Sequence, residues 1–163
     1  MTWSLSLPDK KNETSLLIWA DALIKQGVPR QIICNFLLHD KDLISLENRL
    51  NVESQLSKVM LDRNINSRNF ERAGLVDSAI KLYELNVIDW FGGNFPYERL
   101  KIIYSKQKQY DECIRVCKAF VNVVDYYLSD GSLRGDLIPK RNKFIKWISE
   151  LEEMKYGKSR SSI

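Results

Sequence analysis

Histidine, cysteine and long apolar runs are what this chain has least of. One histidine, His39, stands among 163 residues, and the cysteines are three: Cys34, Cys113 and Cys117. An odd number of cysteines in a chain of this length argues against a disulfide framework. Cys113 and Cys117 lie one helical turn apart, but a zinc site needs about four ligands and His39 is far away in sequence. They read as small buried thiols filling a helix crossing, so no metal and no cofactor is expected. Nothing orients His39 and a cysteine as base and nucleophile. No apolar run reaches the roughly 20 residues that cross a bilayer. Met1 to Pro8 lacks the opening positive charge of a secretion signal, since Lys10 and Lys11 come after it. The expectation is a cytoplasmic protein without a membrane partner. The net charge of +4 is mild, and permits an acidic partner without demanding one.

What is present is a run of helical periodicities. A hydrophobic fraction of 44% and a charged fraction of 28% suit one globular domain over residues 1–163. Leu16, Trp19, Ala20, Leu23 and Ile24 recur at helical spacing, and Gly27 follows as a stop. Pro29 suits the first turn of a second helix with Ile32, Ile33, Phe36 and Leu37. Asp40 or Asp42 is expected to cap a short third helix carrying Leu43, Leu46 and Leu50. These N-terminal helices occupy 1–51. Val52 to Ala73 reads as one helix with a break near Arg63–Asn66, ended by Gly74. Val76 to Trp90 follows, with Val76, Ala79, Ile80, Tyr83, Val87 and Trp90 on one face. Gly92-Gly93-Asn94 is a connection: it follows a helix, and no Gly-Lys-Ser/Thr comes after it to make a phosphate loop. Pro96 opens a helix through Lys106. Tyr110, Cys113, Ile114, Cys117, Val121 and Val124 repeat the earlier face. A loop over Ser129 to Asp136 leads to a last helix, residues 139–154, started by Pro139. Segments that alternate are not bounded by hairpin turns, so the fold class is all-α.

A shift of 34 residues aligns the chain with itself. Asp77 falls on Asp111, Ile80 on Ile114 and Val87 on Val121, all identical. Phe70 falls on Tyr104, Val76 on Tyr110, Leu82 on Val116, Arg72 on Lys106 and Ala79 on Cys113, all similar in kind. Over residues 60–127 the chain therefore resembles the tetratricopeptide repeat (TPR) family, whose period is about 34. Gly74 stands at the turn between paired helices, Ala79 and Cys113 where the family prefers a small residue, Phe70 and Tyr104 at its first-helix aromatic, and Leu100 at its first-helix leucine. The stretch from Asn94 to Glu112 is also similar to uncharacterised bacterial repeat proteins. Asn66 and Lys101 depart from the pattern, and neither unit has the usual closing proline. The resemblance implies TPR-like antiparallel helical hairpins, an α-solenoid of about two repeats. Stacked repeats need roughly three or more units, so the flanking N-terminal helices and the 139–154 capping helix are expected to supply the missing contacts.

The same resemblance implies a function of binding rather than catalysis, and no enzyme reaction is expected. First-helix faces of the family line a concave groove that holds partner peptides. Arg68 and Arg72 point away from Phe70, and Arg99, Ile102 and Lys106 away from Tyr104. These five are the candidate peptide-binding residues, for a protein or peptide partner with acidic groups that guanidinium can grip. The bland alternative is a solvated face balanced by Glu71 and Glu98. Two other roles compete: self-assembly as a homodimer, through Trp90 and Phe91 or the N-terminal helices, and association with nucleic acid. For the latter, Lys140, Arg141, Lys143 and Lys146 would contact phosphates, but they spread around their helix rather than align, and nucleic acid is the least favoured partner.

Overall fold

The computed structural model describes residues 12–30, 32–33, 44–129, 131 and 135–160, with side chains as far as 157. Among the described residues there are six α-helices and no strand: α1 (Glu13–Lys25), α2 (Leu46–Arg72), α3 (Val76–Ile88), α4 (Phe95–Lys106), α5 (Tyr110–Ser129) and α6 (Leu137–Arg160). The described chain divides into two compact units, residues 1–63 and 64–163.

In the first unit the apolar face of α1 builds a core. Leu16, Trp19, Ala20, Leu23 and Ile24 pack with Val28, Ile33, Ile44, Val52 and Leu56. Asn12 caps α1 by accepting from the Ser15 amide at 3.2 Å. Ser45 does the same for α2, accepting from the Asn48 amide at 3.3 Å. That cap corrects one expectation. No short third helix ends near Leu50; Leu46 and Leu50 belong to the first turns of the long α2, which also runs unbroken through Arg63–Asn66. Arg63 and Asn64 are buried there rather than marking a break, and the Arg63 guanidinium donates to the Gly27 carbonyl at 3.4 Å. The reach of a long side chain met that polar demand without disturbing the helix. Asp40, Asp42, Leu43, Phe36 and Leu37 lie outside the described residues.

The second unit is built from antiparallel neighbours. α2 ends and α3 begins across residues 73–75; α4 ends and α5 begins across residues 107–109. Both turns use the same device. The amide of Gly74 donates to the Glu71 carbonyl (3.0 Å) and that of Leu75 to the Phe70 carbonyl (2.8 Å). Thirty-four residues on, Lys108 donates to Ser105 (3.1 Å) and Gln109 to Tyr104 (2.9 Å). This is the Schellman pattern, which needs a left-handed residue after the helix. Gly74 takes it at φ 78°, where the lack of a Cβ makes it easy; Lys108 takes it at φ 58° against the steric preference of an L residue.

The third such turn overturns an expectation. Trp90 is not on the apolar face of α3, because the helix stops at Ile88. Trp90 occupies the left-handed position at φ 55°, its amide bonded to the Val87 carbonyl, and stays 41% exposed with its ring edge-on to Tyr126. The apolar period continued through Trp90 in sequence, but the helix had already closed its last carbonyls.

Beyond the turns, α2 and α3 are tied by Asn86 Nδ2 donating to Asn64 Oδ1 at 2.8 Å. α4 and α5 meet where the Tyr97 and Phe120 rings lie 5.2 Å apart. Ala79 and Cys113, both fully buried, sit five residues after Gly74 and Lys108, where small side chains let the paired helices approach. α6 runs antiparallel to α5, stacking Phe144 on Phe120 at 4.3 Å, and buries Leu137 and Leu151. It runs alongside α4 in the same direction: Lys143 reaches Glu98 at 3.6 Å and Lys101 Nζ lies 4.3 Å from the Trp147 ring centre. Each buried aromatic or aliphatic side chain of this core contributes about 1.5–3 kcal/mol. Asn66 is exposed on α2 and so does not stand at an apolar position at all.

Two outcomes follow. Ala79→Leu or Cys113→Leu should overpack its crossing and cost about 1–3 kcal/mol in a denaturant melt. Lys108→Gly should stabilise by roughly 0.5–1 kcal/mol, because it removes the left-handed penalty at an exposed position that keeps its backbone hydrogen bonds. A lowered midpoint for the glycine variant would contradict this turn geometry.

Candidate functional site

α2 and α4 lie side by side in the same direction, and their side chains meet in a defined order. Early in the pair Phe95 faces Ile65 and Arg68; one turn later Arg99 faces Glu71. Arg99 holds Glu71 by two hydrogen bonds, Nε to Oε2 at 3.1 Å and Nη2 to Oε1 at 2.6 Å. The Tyr83 hydroxyl donates to the same carboxylate at 2.6 Å, and Arg68 Nη1 stands 3.6 Å from it. Burial alone would push the Glu71 carboxyl up. The hydrogen bonds from Arg99 and Tyr83 and the charges of Arg99 and Arg68 outweigh burial and hold it below the ordinary carboxylate range. Burial, and then donation to Glu71, raises the Tyr83 hydroxyl.

Next to this hub is a shallow depression of about 260 Å³, lined by Asn64, Ile65, Arg68, Asn69, Arg72 and Phe95. Ile65 and Phe95 are exposed, unusual for large apolar side chains close together. Arg68 and Arg99 share one carboxylate, Glu71, and Arg72 lines the same depression as Arg68, so the three guanidinium groups leave two positive charges over.

The five expected binding residues therefore separate. Arg68 and Arg72 line the depression. Arg99 is brought to Arg68 through Glu71 and is committed to that carboxylate. Lys106 is exposed in the last turn of α4, where a cation complements the helix dipole, eleven residues and roughly 16 Å along the axis from Phe95. Ile102 is half-buried and does not line the depression. Ile65, Asn64, Asn69 and Phe95 were not anticipated. Two signals were available. Ile65 stands four and seven residues before Asn69 and Arg72, and Phe95 opens α4 as Pro96 fixes its first turn.

A second carboxylate hub lies on the other helices. Glu84 of α3 accepts from the Tyr104 hydroxyl at 2.6 Å and from Arg115 of α5, which also holds Glu112 at 2.6 Å. Burial raises Tyr104, and its bond to Glu84 adds to the rise. Of the basic residues on α6, Lys140 meets Asp136, Arg141 meets Asp125 at 2.7 Å, Lys143 meets Glu98 and Lys146 stands 3.9 Å from Glu150. These pairings leave little cationic surface for phosphates. Both cysteines described are core residues: Cys113 Sγ lies 3.4 Å from Ser105 Oγ and 3.5 Å from the Lys101 carbonyl, and Cys117 is fully buried. Burial pushes the Cys117 thiol up to about 12 and raises Cys113 as well. His39 and Cys34 lie outside the described residues. Among the described residues no cluster of three or more His, Cys, Asp or Glu could hold a metal ion, and no helix is long and apolar enough to cross a membrane.

No protein family, no curated protein and no solved structure matches the chain.

The Glu71 hub sets a pH dependence with a definite sign. A carboxyl lowered by folding adds stability above its unfolded pKa of about 4.3, and that stability is lost as pH falls through the lower folded value. Glu71→Gln should cost about 1–2 kcal/mol at pH 7 and should flatten the loss of stability below about pH 5. Thermal melts of both proteins across that range measure it; parallel curves would count against the hub. Cys113 and Cys117 should react with a thiol reagent only as fast as the protein unfolds.

Proposed function

We propose that residues 64–163 are a TPR-like array of helical hairpins that binds a peptide or protein surface without catalysis. The supporting observation is the depression between α2 and α4, where exposed Ile65 and Phe95 sit beside Arg68 and Arg72 with positive charge left over. Two turns of one hydrogen-bond pattern thirty-four residues apart, and α2, α4 and α6 running in one direction, support the array. In this reading the concave groove of the family corresponds to the side where Arg72 and Phe95 are offered to solvent. The apolar pair gives a partner side chain somewhere to bury. Arg72, with no carboxylate paired to it among the described residues, and Arg68, which shares Glu71, give an acidic group something to bond. Arg99 supports the face rather than contacting the partner, since its guanidinium is already satisfied.

The test uses a fluorescently labelled peptide rich in Asp and Glu, with one leucine and a free C-terminal carboxylate. Arg72→Ala and Phe95→Ala should each weaken binding about 5- to 30-fold without moving the melting temperature. Binding should weaken with added salt, as the Debye length shrinks below about 8 Å. Arg99→Ala should instead lower the melting temperature. Retention of full affinity by both the Arg72 and Phe95 variants would reduce the depression to a solvated face.

A further inference from the structure

Among the described residues, the depression on α2 and α4 is lined without a carboxylate. Arg68, Arg72, Asn64 and Asn69 can donate hydrogen bonds into it, and Ile65 and Phe95 are its apolar part. Asn64 is only 7% exposed, and its Oδ1 already accepts from Asn86 Nδ2 at 2.8 Å. That buried bond fixes the amide, so the Nδ2 donor edge is what Asn64 has left to offer a ligand.

Phe95 is a fixed wall. Its ring stands edge-on to Tyr83 at 6.0 Å, Tyr83 donates to Glu71, and Arg99 holds Glu71 twice. A ring held in place gives a flat apolar group a surface at little ordering cost. Arg68 is freer than Arg99, since its approach to Glu71 is 3.6 Å. Turning Arg68 toward a ligand leaves Glu71 bonded by Arg99 and Tyr83.

The surplus of two positive charges decides the chemistry of that ligand. A carboxylate neutralises one of them, and its short stem covers little of Ile65 and Phe95. A phosphoryl group carries a charge of about −1.5 to −2 at neutral pH and three acceptor oxygens, enough for two guanidinium groups and an amide. Phosphoserine brings that charge without apolar area. A phosphorylated ring brings both, and Phe95 and Ile65 lie beside the cations to receive it.

We propose that this depression is a subsite for a phosphorylated tyrosine of a partner peptide. Its phosphoryl oxygens accept from Arg68, Arg72 and Asn64, and its ring packs on Phe95 and Ile65. The inference names a ligand group for the peptide-binding face proposed above and rests on that reading.

Fluorescence anisotropy of the full chain tests it with one labelled peptide rich in Asp and Glu. Its central residue is varied among tyrosine, phosphotyrosine, phosphoserine and glutamate. The phosphotyrosine form should bind about 10- to 100-fold tighter than the other three. Arg72→Gln, at an exposed position, should remove most of that advantage without moving the melting temperature. Phe95→Ala should bring phosphotyrosine down to the affinity of phosphoserine. Equal binding of the glutamate and phosphotyrosine forms would overturn this inference and leave the acidic-peptide reading standing. Failure of every form to bind would overturn both. Phosphoserine bound as tightly as phosphotyrosine by the wild type, or a preference for phosphotyrosine that survives Arg72→Gln, would also overturn the subsite.

Discussion

The second unit depends on a reversal of the chain within three residues, made twice. Helix carbonyls at positions 70 and 71, and again at 104 and 105, would be left open as the helix ends. A left-handed residue at 74 and at 108 turns the next two amides back onto them. In both places the following helix begins at once and runs antiparallel to the one just ended. Once reversed, the helices must touch five residues later, and Ala79 and Cys113 are the side chains small enough to allow it. The aromatic core of Tyr83, Tyr97, Phe120 and Phe144 then fills what the crossings leave. A lysine at 108 where a glycine stands at 74 shows that the closure outweighs the steric cost of one left-handed residue.

Charge ties together helices that the turns do not. Glu71 joins α2 to α4, Glu98 joins α4 to α6, and Glu84 joins α3 to α5. Each carboxylate reaches a cation two helices further along. The contacts differ in worth. Lys143 is more than half exposed and its pair with Glu98 adds little, whereas Arg99 and Glu71 are mostly shielded and bonded twice. The consequence for recognition is subtractive. A guanidinium held by an internal carboxylate cannot also grip a ligand without leaving that carboxylate bare, so the peptide-binding role proposed above rests on what remains: Arg72, part of Arg68, Ile65 and Phe95.

The helical plan was legible because its signals are local. Gly27 and Gly74 mark helix ends, Pro96 marks a first turn, and the small residues at 79 and 113 stand thirty-four positions apart. Where the reading slipped, a local pattern outlasted the element that carried it. Apolar spacing continued from Val87 to Trp90 although the helix had ended at Ile88. Polar residues at 63–66 looked like a break because their partners, Gly27 for Arg63 and Asn86 for Asn64, lie more than twenty residues away.

The candidate site was half legible for the same reason. Spacing along one helix places Arg68 beside Arg72, and Arg99 at the like position of α4. It cannot say that Arg99 lies against Glu71, twenty-eight residues earlier, or that Phe95 comes to rest beside Ile65. By itself the sequence determined that the chain is helical, where most of its helices turn, and which small residues stand at the crossings, because caps, periodicity and side-chain volume act within a few residues of themselves. Only the tertiary structure decided which cations are satisfied internally and which apolar side chains are left in water, because neutralisation and burial depend on neighbours that folding brings from other helices.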